Sequence, residues 1–215
     1  MQNIRIFFSK RDRAKYISHL DMTRLFQRAV RRSGITMWYT EGFHPHLYMT
    51  FALPLSLGIE SDYECVDMKL VDNISLEGVK ERLNFALPES IRVIDVKPPV
   101  QKSNQITSSR YEARLFGLAS RVDELKSFLE REEILAEKKG KAGIKTVNIK
   151  KWVYDYDINV DQNDIVLKLK LASGNTDTLN PQLHINTFFT EYSVSAQGST
   201  IVRKEILNAN DEIFS

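Results

Sequence analysis

The spacing of apolar positions changes several times along the chain, and each change marks an element. In the first ten residues Ile4, Ile6 and Phe8 alternate with Arg5 and Phe7, which predicts a strand with one buried face. From Ser18 the spacing lengthens. Met22, Leu25, Phe26 and Ala29 recur with a helical period, Ser18 and Asp21 make an S-x-x-D cap, and Gly34 supplies a left-handed stop. The run Ile35 to Tyr39 is strand-like, and Gly42 and Pro45 break it. A second extended run spans Tyr48 to Leu57, interrupted by Pro54, and Tyr63 to Val71 alternates as a strand. Ser75 opens a helix to about Leu87, with Leu76, Val79, Leu83 and Ala86 on one face. Pro88 ends it, and Ile91 to Val96 is a further strand.

Residues 1–98 therefore read β-α-β-β-α-β, the ferredoxin-like order of four antiparallel strands with two helices on one face. The open face of that sheet is where many such domains meet RNA. Residues 99–109 are polar and read as a linker. The pattern then restarts. Tyr111 to Leu118 is strand-like, Ser120 can cap a helix from Val122 to about Lys138, and Gly140 to Gly143 is a flexible basic loop. Strands at Val147–Val160 and Ile165–Leu171 flank a turn, Asn180-Pro181 opens a short helix, and Ile201–Leu207 is the last strand. The fold class predicted is α+β, with two tandem ferredoxin-like (β-α-β-β-α-β) domains and antiparallel sheets, the second over 110–215. No residue-level repeat links the halves, so duplication rests on element order. The tail from Asn208 to Ser215 is expected to fray.

Charge changes the picture more than composition does. The 215 residues carry a net charge of only +2, but residues 1–50 hold nine Lys and Arg against three Asp and Glu. The excess of +6 lies at the N-terminal end, a footprint that fits a phosphate or nucleic-acid partner. A single cysteine, Cys65, excludes an internal disulfide framework and a Cys-only zinc or iron–sulfur site, and it fits a reducing, cytoplasmic setting. The apolar runs are too short to span a bilayer, and the N-terminus lacks the features of a signal peptide. No membrane association, cofactor or resident metal is expected.

Candidate chemistry concentrates between residues 15 and 64. Arg24, Arg28, Arg31 and Arg32 form a stripe on the first helix with no acidic residue at i+4 to offset it. Arginine binds phosphate bidentately, so the stripe is either a solvated face or an anion surface. The loop Tyr39-Thr40-Glu41-Gly42-Phe43-His44-Pro45-His46 follows. Gly42 fits a positive φ or a close approach of a partner. Trp38, Tyr39, Phe43 and Tyr48 could stack on unpaired bases or sit in the core. His44 and His46 form H-x-H, which needs further ligands before it can hold a metal. His19 and His44 are the candidates for general acid–base work, against a structural or RNA-contacting role. There is no P-loop, dinucleotide fingerprint, zinc-protease motif or nucleophile elbow.

The segments KYISHLDMTRLFQRAVRRSG, YTEGFHPH and FALPLSLGIESDYECVD resemble a bacterial radical-SAM-associated family of unknown function, found alone or fused behind a radical-SAM protein. The match is collinear over residues 15–70 and traceable to NPQLHINTFF and IVRKEIL. The family pattern has a basic or small residue after HPH, where this chain has Leu47-Tyr48. The resemblance implies a radical-SAM partner, often with an E/G-type ribonuclease encoded nearby. A fainter similarity is to the RAMP-type CRISPR endoribonucleases. Together these readings lead to a non-catalytic RNA-binding accessory module acting with a radical-SAM enzyme on rRNA or tRNA. Its contacts would be Arg24, Arg28, Arg31, Arg32, Tyr39, Glu41, Gly42, Phe43, His44 and His46. The alternatives are a metal-independent ribonuclease and a protein-docking domain without RNA affinity.

Overall fold

The structure is a computed structural model that describes residues 1–140, 143–174, 177–194 and 197–215. The fold is mixed α+β with antiparallel sheets, and the chain divides into two compact units. Unit 1 comprises Met1–Gln105 with Ile213–Ser215, and unit 2 comprises Ile106–Glu212.

Unit 1 contains β1 (Gln2–Lys10), α1 (His19–Ser33), β2 (Met49–Phe51), β3 (Glu60–Leu70), α2 (Leu76–Ala86) and β4 (Ile91–Lys97). Its strands lie in the order β4-β1-β3-β2, every neighbour antiparallel. Register sets Ile4 opposite Met68 and Ile6 opposite Val66. Ile4, Ile6 and Phe8 face the helices and join Phe26, Ala29, Val79 and Leu83 in one core. Ser18 and Ser75 cap the helices, each hydroxyl oxygen accepting from the backbone N–H three residues on.

β1 is buried on both faces rather than one. Arg5 and Phe7, on the face away from the helices, are also inaccessible. Phe7 packs on Tyr63 with ring centroids 5.3 Å apart. Arg5 forks onto Asp67, with Nε to Oδ1 at 2.7 Å and Nη2 to Oδ2 at 2.8 Å. Its Nη1 donates to the carbonyl of Ser215 at 2.8 Å, and its guanidinium lies 4.3 Å from the centre of the Phe214 ring. The expected fraying of the tail is thereby corrected. Phe214 is fully buried, and Val100 and Gln101 both donate backbone N–H groups to Ser215.

Unit 2 contains β5 (Ile106–Leu115), α3 (Val122–Leu129), β6 (Leu135–Gly140), β7 (Gly143–Asn148), β8 (Val153–Asp161), β9 (Asp164–Ala172), α4 (Pro181–Glu191) and β10 (Ser199–Asn208). Four strands form an antiparallel sheet in the order β10-β5-β9-β8. β6 and β7 pair with each other as a separate ribbon.

Three expectations change here. β5 begins at Ile106, inside the stretch read as linker. α3 ends at Leu129 instead of continuing to about Lys138, because Ile134 and Ala136 are drawn into the core as the chain enters β6. The loop expected at Gly140–Gly143 falls partly outside the described residues, and Gly140 ends β6 while Gly143 begins β7. Gly140 and Gly143 are register partners, and Lys141 and Ala142 lie outside the described residues.

Candidate nucleic-acid interface

α1 buries Met22, Phe26, Ala29 and Val30, which turns Arg24, Arg28, Arg31 and Arg32 to solvent. Three of them, Arg24, Arg28 and Arg32, line an open groove of about 720 Å³ between α1 and the C-terminal end of α2. Its apolar lining is Ile17, Leu25, Ala86, Leu87 and Pro88, Asp21 adds one carboxylate, and Phe85 lines it with 94% of its surface exposed. Arg31 is exposed but does not line the groove. The groove therefore offers three arginines and one carboxylate over an apolar floor beside a bare aromatic ring.

The arginines differ in how far they are already paired. Asp21, three residues before Arg24, accepts from its Nη1 at 3.1 Å. The Ser18 hydroxyl donates to the same carboxylate at 2.8 Å, and these two bonds hold its pKa below the usual range. The expectation that no acid offsets the stripe is thus corrected at one position, because the pair runs i to i+3 and not to i+4. Arg32 donates to the Ala86 carbonyl at 2.6 Å, on the last residue of α2. Arg28 and Arg31 form no ion pair among the described residues.

The histidine loop is held by its own backbone and one ring. Thr40 donates its N–H to the His46 carbonyl at 2.8 Å, and His46 returns its N–H to the Thr40 hydroxyl at 3.1 Å. The His46 ring reinforces this, with Nδ1 at 2.9 Å from Thr40 Oγ1 and 3.2 Å from the His44 carbonyl. Gly42 adopts φ +121°, where a side chain would be strained although the space around it is open. Glu41 and His44 are exposed, Tyr39 is at the surface, and Phe43 is wholly bare at 101%. None of these residues lines the arginine groove.

Trp38 and Tyr48 pack edge to face, and Lys69 lies over both rings at 4.3 and 4.8 Å from their centres. Lys69 and Tyr48 border a second open groove, on the sheet side, with Asn3, Thr50, Val100 and Lys102. His19 sets its ring edge to face against Phe51 at 5.1 Å and borders a small cleft with Lys10 and Glu64. Neither His19 nor His44 accepts or donates a hydrogen bond to a carboxylate among the described residues. No three His, Cys, Asp or Glu side chains there are placed to hold a metal ion, and no described helix is long and apolar enough to cross a membrane.

The residue missed from sequence is Phe85. It falls out of phase with the apolar stripe Leu76, Val79, Leu83 and Ala86, and an aromatic off the stripe of an amphipathic helix is the signal that marks it.

A fold with an electropositive helix groove and a self-locked histidine loop defines a class without fixing an activity. The chain matches, over residues 3–181, the family described as an uncharacterized protein conserved in bacteria (DUF2344), and it belongs to that family. No curated protein matches it. Among solved structures it is similar to a chain of the crystal structure of a Cbf5-Nop10-Gar1 complex, at 8% identity and a TM-score of 0.50. That alignment covers 94% of this chain and 48% of the other, so this chain spans about half the length of that neighbour. At such identity the likeness concerns the fold alone. A protein described as a glycine cleavage system transcriptional repressor aligns over 94% of this chain and 98% of its own, at 9% identity. Its TM-score of 0.26 carries no argument.

Proposed function

We propose that the chain is an RNA-binding module without catalysis of its own, built as two tandem ferredoxin-like domains, and that single-stranded RNA lies along the α1 groove. The observation that carries this reading is the company Arg28 keeps. An arginine without an ion pair among the described residues sits between two others, above an apolar floor and beside an exposed phenylalanine. Guanidinium groups would take phosphates and Phe85 would take the face of a base. A solvated helix face needs neither the exposed ring nor the groove. The radical-SAM enzyme remains the proposed partner, on the strength of the sequence resemblance, with the Tyr39–His46 loop as the exposed feature available to it. A ribonuclease reading is weaker, because neither His19 nor His44 has an orienting carboxylate among the described residues.

The test is fluorescence anisotropy with labelled poly(U). The Arg24→Gln/Arg28→Gln/Arg32→Gln variant should lose most of its affinity at low salt while its circular dichroism is unchanged. Equal binding by the variant and the parent protein would remove the groove from the account.

A further inference from the structure

The ribbon β6–β7 has no counterpart in unit 1, and it carries a charge that the sheet of unit 2 does not. Residues 135–152 contain six lysines and one glutamate, in a chain whose net charge is only +2. Within the ribbon, Lys138 and Lys145 are register partners directly across the two strands. Like charges in that position repel each other, and folding alone does not ask for them. Both are exposed, and neither has an ion pair among the described residues.

A third lysine joins them at the ribbon's root. The Trp152 ring has Lys151 Nζ at 4.9 Å and Lys138 Nζ at 5.8 Å from its centre, while its indole N–H donates to Asp177 Oδ1 at 2.9 Å. The indole therefore lies among cations at the ribbon's root. Alternation along the strands places Leu135 and Ile144 on the opposite face from Lys138 and Lys145.

We propose that this ribbon is a second RNA contact, in which Lys138, Lys145 and Lys151 bind successive phosphates of a single strand. The partner is recognised by its backbone, since ammonium groups act as point charges on phosphates. The inference rests on the reading that this chain's ligand is RNA, but it concerns other residues in the other unit.

The test uses the whole chain with Trp38→Phe, which leaves Trp152 as its one tryptophan, and follows Trp152 emission and the anisotropy of labelled poly(U). Addition of poly(U) should change the emission. In the same background, Lys138→Gln/Lys145→Gln/Lys151→Gln should abolish that change and flatten log K against log salt by about 2, at about 0.7 per lost contact. A variant that keeps the parent's affinity and slope overturns the ribbon contact. If Arg28→Gln still weakens binding in that case, the groove reading survives alone. Loss of binding in the lysine variant with none in Arg28→Gln supports the ribbon and sinks the groove. No binding of poly(U) by the parent sinks both. An equal emission change with poly-L-glutamate, or with phosphatidylserine vesicles, would make the partner an acidic protein or a membrane and overturn the RNA assignment.

Discussion

Two surfaces of the molecule carry comparable numbers of cations, the outward sheet face of unit 2 and the α1 face of unit 1. On the first, Lys168 reaches Asp157 at 3.5 Å, Lys170 reaches Asp211 at 2.5 Å, and Arg110 reaches Glu205 at 2.7 Å. Register enforces this pairing, since Lys168 faces Glu112 on one neighbouring strand and Asp157 on the other. On the second, only Arg24 is ion-paired, to Asp21, which also draws electrostatically on Arg28, and Arg28 and Arg31 form no ion pair among the described residues. A phosphate arriving at the sheet face meets carboxylates at once. One arriving at α1 meets a single carboxylate, Asp21, among the arginines and an apolar floor. What separates a site from a solvated face is therefore the fraction of cations left unpaired, more than their number.

The comparison can be pushed hardest at Arg5, the extreme of a cation committed to the fold. It is buried, and the hydrogen bonds and charge of Asp67 outweigh the desolvation that opposes its ionised form. Arg5→Ala strands Asp67 and releases Phe214, so chemical denaturation should report a loss of about 3–5 kcal/mol. RNA affinity measured on the folded fraction should not move. A loss below about 1 kcal/mol would mean that the tail is not held as described.

Next comes His184, which burial keeps neutral. Its ring is inaccessible, edge to face with Phe128 at 5.4 Å, and desolvation, with a smaller push from Lys150, lowers its pKa to about 4. Between pH 6.5 and 4 the unfolded chain binds the proton and the folded chain does not. Stability is therefore fully present above pH 6.5 and falls with pH, by roughly 3 kcal/mol at pH 4 from this group. His184→Leu should remove that part of the acid sensitivity. An identical pH profile in the variant would assign it to other groups.

The smallest effect tests the pairing at α1 itself. Asp21→Asn frees Arg24 while the Ser18 hydroxyl can still cap the helix. Affinity for poly(U) should rise by about twofold, as expected of losing one exposed ion pair. A fall in affinity would place Asp21 on the RNA side of the site.

Much of unit 1 was legible because its signals are local. The cap at Ser18, the stop at Gly34 and the apolar stripe of α1 are set by neighbours within a few residues, and they appear where the spacing puts them. What escaped is non-local. The stretch after Leu129 has helix-forming residues, yet Ile134 and Ala136 are claimed by the core and the helix ends. The tail looked free because its partners, Arg5 and Gln101, lie far away in sequence. At the site, the arginines were readable and the groove was not. A groove needs a second wall, and Phe85 of α2 and Pro88 just beyond the helix supply it.

The central claim is that RNA lies along that groove, with Arg28 on a phosphate and Phe85 on a base. It is tested most directly by comparing Arg28→Gln and Phe85→Ala in anisotropy titrations with labelled poly(U) across a range of salt. Arg28→Gln should flatten log K against log salt by about 0.7, the signature of one lost phosphate contact. Phe85→Ala should lower affinity by about 1–3 kcal/mol at every salt concentration and leave the slope unchanged. Parallel, unshifted lines for both variants would contradict the account and return the α1 face to a solvated surface.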